Sequence, residues 1–183
     1  MATIKRGRGK GKIMRILLIS LLMINIAQAQ HKQADGDFTM ALTGDSIITR
    51  PLSPYKEPEF LKMIEMIRGA DMAFTNLEML FHDYEMYPMA ESGGTYMRGD
   101  PKLAKELVWA GFDMVSRANN HTGDYGVKGM ELTTQYVWEA GLVQAGVGMS
   151  LAEAREAKFL ETDKARVALI SISSTFARHM AAG

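Results

Sequence analysis

The chain has no cysteine among its 183 residues. That excludes disulfides, thiolate metal sites, cysteine nucleophiles and the lipid-anchored cysteine of a lipoprotein. Basic clusters are missing beyond the first 29 residues. All six charges in that opening segment are positive, so 15 of the 21 basic residues remain against 21 acidic ones, a net of −6. Nucleic-acid affinity rests on phosphate neutralisation by Lys and Arg, so this balance argues against it. The only long apolar run, residues 16–26, is interrupted by Ser20 and Asn25. It falls short of the roughly 20 apolar residues a spanning helix needs.

That run has the layout of an export signal. Lys5, Arg6, Arg8, Lys10, Lys12 and Arg15 precede it, and Ala27-Gln28-Ala29 follows as a small-x-small cleavage site. The expected product is an exported, periplasmic or extracellular protein starting at Gln30, with membrane attachment only through an uncleaved signal. Residues 30–183 are expected to form one domain. The chain stops just after an apolar strand, so the reading is of a domain truncated at its C-terminus.

Strand-like and helix-like segments alternate. Residues 38–42, 72–75, 112–116 and 142–145 read as strands. Pro58–Arg68 reads as a helix with Phe60, Leu61, Ile64 and Ile67 on one face. Asp100-Pro101 opens a second helix ending before Gly111, and residues 127–140 form a third that stops at Gly141. Ser150 and Glu153 suggest a capping box for a short helix reaching residue 158. Residues 159–161 and 166–172 flank Asp163-Lys164 as a hairpin. Residues 80–99 have no period, and a structureless stretch of that length is often functional. The fold class is α/β with a mainly parallel sheet.

In such a sheet the carboxyl ends of neighbouring strands share one rim, where ligands bind. Three polar clusters leave the predicted strands there: Thr43-Gly44-Asp45, Asn76-Leu77-Glu78, and residues 118–126, which read Ala-Asn-Asn-His-Thr-Gly-Asp-Tyr-Gly. Asp45 alone suits an Asx turn as well as a metal ligand. Asn76 and Glu78, at i and i+2 of an extended chain, point to one face. Asn119, Asn120 and the glycines could serve a turn alone, but a turn has no need of His121, Asp124 and Tyr125 together. His121 is a candidate metal ligand, general acid or oxyanion donor, and Asn120 a neutral oxygen ligand.

Together these motifs resemble the CapA family of capsule or poly-gamma-glutamate biosynthesis proteins, which is similar to calcineurin-like metallophosphoesterases. The resemblance covers residues 38–175. It implies the N-terminal portion of a metallophosphoesterase-like α/β/β/α sandwich with two divalent metal ions, Mn, Fe or Zn. It also implies a hydrolase acting on a phosphoester or amide bond. Asp45 would bind one metal, Glu78 would take the bridging position, Asn120 would be the amide ligand and His121 the transition-state stabiliser or acid. Asn76 would be supporting, and Asn119, Asp124 and Tyr125 belong to the motif. The implied substrate is an anionic polymer or phosphoester. The alternative is a non-catalytic scaffold or polymer-binding subunit of an envelope synthesis complex. Two departures stand out. Ile47 occupies the place where the wider superfamily has a metal-binding histidine, and His179 matches none of the later histidine ligands.

Other residues read as structural. Met63, Met66 and Met72 are expected in the core. Met86, Met89 and Met97 in the long loop are left open. Tyr84, Tyr87, Tyr96 and Arg98 are candidates to cover the rim or to sit on a solvated insertion. His31 and His82 are expected at the surface, and Trp109 and Trp138 in helix packing.

Overall fold

A computed structural model describes residues 36–92 and 94–174. Residues 1–29, read above as an export signal, and His31 and His179 lie outside the described residues. Among those described, no helix is long and apolar enough to cross a membrane.

Four parallel strands form the central sheet: β1 (Met40–Ser46), β2 (Met72–Leu77), β5 (Met114–Ser116) and β6 (Val143–Ala145), in the order β1-β2-β5-β6. Helices connect them: α1 (Pro58–Arg68), α2 (Leu103–Ala110) and α3 (Gly126–Ala140). Short parallel strands β3 (Leu80–Phe81) and β4 (Arg98–Gly99) pair apart from the sheet. A four-residue helix α4 (Leu151–Ala154) precedes the antiparallel hairpin of β7 (Lys158–Glu161) and β8 (Arg166–Leu169). The fold is the mainly parallel α/β arrangement expected.

The core lies on one face of the sheet. Ala73, Leu77 and Val115 pack against Ile64 and Ile67 of α1, Leu103, Leu107 and Ala110 of α2, and Val137 of α3. Strand side chains alternate, so Phe74, Asn76, Met114 and Ser116 belong to the opposite face. Fully burying a side chain such as Leu107 contributes about 1.5–3 kcal/mol, and this helix-covered face supplies most such burial. Gly111 ends α2 at φ +103°, a left-handed cap that an L side chain would strain.

Several local expectations need correction. The first strand lies at Met40–Ser46, not 38–42, because it follows β2 through the polar Thr43-Gly44-Asp45 segment. Helix α2 begins at Leu103, and Asp100 caps the preceding turn by accepting the Lys102 N–H at 2.9 Å. Ser150 caps α4 through the Glu153 N–H, but the Glu153 carboxylate turns to the Met149 N–H and the helix ends at Ala154. Strand β8 stops at Leu169, short of residue 172.

Side chains also depart from expectation. Met63 and Met66 are on the solvent side of α1, 49% and 72% exposed, whereas Met72 is buried. The 3.6-residue period gives the buried stripe to Ile64 and Ile67 and turns positions 63 and 66 outward. Trp138 is 74% exposed on α3, where Val137 takes the core position. Trp109 does pack, stacked on Phe60 with the Arg68 guanidinium 4.6 Å from its ring. His82, expected at the surface, is wholly buried.

Candidate metal and acid–base site

Strand β1 carries a bulge that sets the first ligand candidate. Leu42 pairs with Phe74, yet Asp45 pairs with Asn76, so Thr43 and Gly44 together oppose Thr75. A regular strand would place Gly44 opposite Asn76 and turn Asp45 to the helix-covered face. Bulges commonly re-aim a side chain next to an active site. Buried Thr75 secures this one: its hydroxyl donates to the Gly44 carbonyl at 2.8 Å and shares a 2.6 Å hydrogen bond with Ser46 Oγ.

Asn76 is the hub of the rim. Its Oδ1 accepts from Ser116 Oγ at 2.7 Å and from Asn119 Nδ2 at 3.2 Å, and its Nδ2 donates to Asp45 Oδ1 at 2.8 Å. The two donors on its oxygen fix which way the amide faces, so the NH₂ group must aim at Asp45. Three strands, β1, β2 and β5, are thereby tied together at their carboxyl ends.

Glu78 follows β2, and its carboxyl is close enough to that of Asp45 for each to shift the other. The Glu78 carboxyl, followed by the Asn76 amide, holds Asp45 below the usual carboxylate range. The same interaction with Asp45, with burial and the Asp45 charge, pushes Glu78 up, and His121 partly opposes this. Two neighbouring carboxylates share a proton unless a cation takes its place. His121 is close enough to Glu78 to be felt electrostatically.

The Asn-Asn-His loop is held from within. Asn119 Nδ2 also donates to the Leu77 carbonyl at 2.9 Å, and its Oδ1 accepts the His121 N–H at 3.1 Å. Thr122 Oγ1 donates to the Arg117 carbonyl. Asn120 is half-buried beside them in the same turn. His121 Nδ1 sits 2.9 Å from Asp124 Oδ2, with His121 only 6% exposed and Asp124 wholly buried. The carboxylate accepts, so Nδ1 carries the hydrogen and Nε2 is the atom available for proton transfer. Asp124 Oδ2 also accepts the Met97 N–H at 2.7 Å.

The long loop is fastened to the end of this motif. Met89 N–H donates to the Asp124 carbonyl at 2.9 Å, and the Tyr96 ring lies 6.0 Å from that of Tyr125. Gly126 has φ +65°, and a Cβ there would stand 3.0 Å from Met89 Sδ. Tyr84 and Tyr87 remain exposed at 67% and 91%.

Asp45, Asn76, Glu78, Asn119 and His121 thus meet at one end of the sheet, with Asp124 behind His121. Tyr125 stands to the side, its ring 4.2 Å from that of His82. Among the described residues, no three His, Cys, Asp or Glu side chains are grouped to hold a metal ion. The donors brought together are the neighbouring Asp45 and Glu78 carboxylates, hard oxygen ligands that suit a divalent cation in place of a shared proton. The individual role of Asp124 was not legible from the sequence. Its spacing of three from His121 was the available signal.

Behind the loop, Arg117 is wholly buried, and burial pulls its guanidinium down to about 9. Nη1 donates to Gln144 Oε1 at 2.7 Å, while Nε and Nη2 have no hydrogen-bond partner among the described residues.

The sequence matches known proteins along most of its length. Two proteins of Sinorhizobium fredii (strain NBRC 101917 / NGR234), uncharacterized proteins y4sH and y4uA, are each 42% identical over 142 residues. Those residues cover 76% of this chain and 31% of each relative. The capsule biosynthesis protein CapA of Bacillus anthracis is 24% identical over 158 residues, covering 82% of this chain and 38% of that protein. The chain therefore spans about a third of the length of these curated relatives. The family described as bacterial capsule synthesis protein PGA_cap matches residues 34–182. With the metallophosphoesterase-like α/β fold and the rim motifs in place, the chain belongs to the PGA_cap family of bacterial capsule synthesis proteins.

Proposed function

We propose that this chain carries part of the site of an exported, metal-dependent hydrolase that acts on a phosphoester or amide bond during extracellular polymer production. The observation that carries the reading is the Asp45 carboxylate, held at the rim by Asn76 Nδ2 at 2.8 Å, together with the imidazole of His121, held by Asp124 at 2.9 Å. Asp45, Glu78 and Asn120 would hold the cation. When bound, it supplies charge neutralisation and Lewis acidity at the reacting centre.

The chain's own groups divide the rest of the work. Asn76 orients Asp45. His121, as the imidazolium, gives its Nε2 proton to the leaving oxygen or nitrogen as water bonds to the scissile phosphorus or carbonyl carbon and the scissile bond breaks, and the proton that this water releases returns to Nε2. Asp124 stabilises the imidazolium and keeps Nδ1 protonated. An anionic polymer or phosphoester is the substrate class, and the opening signal-like segment would direct export.

One observation favours a second reading, a non-catalytic scaffold or polymer-binding subunit of an envelope complex: only two acidic ligands meet among the described residues. Hydrolysis of bis-p-nitrophenyl phosphate separates the two. The hydrolase gives Mn²⁺-dependent release of p-nitrophenol that a chelator stops and Mn²⁺ restores. Folded protein that binds Mn²⁺ without turnover supports the scaffold.

A further inference from the structure

His82 is wholly buried at the root of the long loop. Its Nδ1 accepts the Tyr84 N–H at 3.1 Å, so the ring is neutral with its hydrogen on Nε2, an atom that is buried without a hydrogen-bond partner among the described residues. The ring lies edge-on to Tyr125 at 4.2 Å. Its backbone is held on both sides: the carbonyl accepts Arg98 Nε at 2.8 Å, and the N–H donates to the Gly99 carbonyl at 3.3 Å. Tyr84 takes φ +59°, a region that bulky L residues rarely adopt. The His82 bond and the Arg98 guanidinium, 3.8 Å from the Tyr84 ring, hold it there.

The same loop supplies two of the bonds on Asp124, from Met89 N–H and Met97 N–H. We propose that His82 is a positioning residue: neutral His82 docks the loop against Tyr125, which keeps the Met97 N–H on Asp124 and Asp124 on His121. The kinetic part of this proposal rests on the reading of His121 as a proton donor; the docking part does not.

Protonation would put a second N–H at Nδ1, facing the Tyr84 N–H. The groups around the ring are Arg98 from β4, Asp83, Tyr84 and Glu85 from the loop, and Tyr125 at the start of α3. Glu85 is itself engaged by the Tyr136 hydroxyl of α3. Burial first, then Arg98, holds His82 below the ordinary histidine range, with Glu85 and Asp83 opposing. A depressed histidine favours the docked loop fully above its ordinary range and loses that contribution as pH falls.

Amide hydrogen exchange at Met89 and Met97, corrected for intrinsic rates, tests the docking. Wild type should be protected near pH 7.5 and exchange about tenfold faster near pH 5. His82→Phe should lose about tenfold protection at the higher pH and show no pH dependence across this window. His82→Gln, which keeps an acceptor and does not titrate, should stay protected at both. On bis-p-nitrophenyl phosphate, His82→Phe should lower kcat about tenfold with KM and Mn²⁺ content unchanged. Wild-type protection and pH dependence in folded His82→Phe would overturn the proposal. Absence of turnover in wild type would sink the hydrolase reading and leave the exchange result to decide the docking.

Discussion

Replacing His121 with alanine is expected to lower kcat on bis-p-nitrophenyl phosphate by about 10²–10⁴-fold, the range typical of a lost general acid. Mn²⁺ content should not change, because the cation is assigned to Asp45, Glu78 and Asn120. The direct contact from His121 is to Asp124, at 2.9 Å, and the variant leaves that carboxylate with its Met97 donor. Undiminished turnover in the folded variant removes the role given to His121. Loss of metal together with activity would instead make it a ligand.

Asp45→Ala and Glu78→Ala are each expected to abolish stoichiometric Mn²⁺ binding, read by elemental analysis after gel filtration. Neither carboxylate supports the helix-packed core, and Asp45 is exposed, so both variants should fold. The pH dependence has a definite sign. Glu78 is raised by the Asp45 carboxyl beside it, so at low pH the pair keeps a proton that competes with the cation. Mn²⁺ affinity should rise as pH increases through the raised Glu78 titration, with protons released on binding. Flat affinity across that range, or a folded variant with its metal intact, would separate these carboxylates from the metal.

Much of the frame was legible because it follows from local chemistry. Pro58 at a helix start and the 60-61-64-67 spacing give α1 its bounds of Pro58–Arg68. Gly111 and Gly141 mark the left-handed caps of α2 and α3. The rim was legible because parallel strands place their carboxyl ends together, which brought Asp45, Glu78 and His121 from three separate segments to one edge.

What escaped depends on tertiary pairing. The bulge at Thr43-Gly44 is a register event between β1 and β2, and neither strand alone specifies it. Strands β3 and β4 are two residues long, too short for any period, and exist because Leu80 and Phe81 find Arg98 and Gly99 across the long loop. His82 looked like a surface histidine because its acceptor bond is to the backbone of Tyr84 and its cover is Tyr125, some forty positions away. Trp138 misled in the other direction, since a large apolar side chain on a helix is weak evidence of burial when Val137 already fills the core.

Imidazole NMR under Mn²⁺ titration tests the central claim most directly, because the chain has only four histidines. A cation held by Asp45 and Glu78 should broaden the His121 ring signals at substoichiometric Mn²⁺ and the His82 signals less, with the effect lost in Asp45→Ala. Equal broadening of all four rings, or none at His121, would contradict a cation seated beside that imidazole.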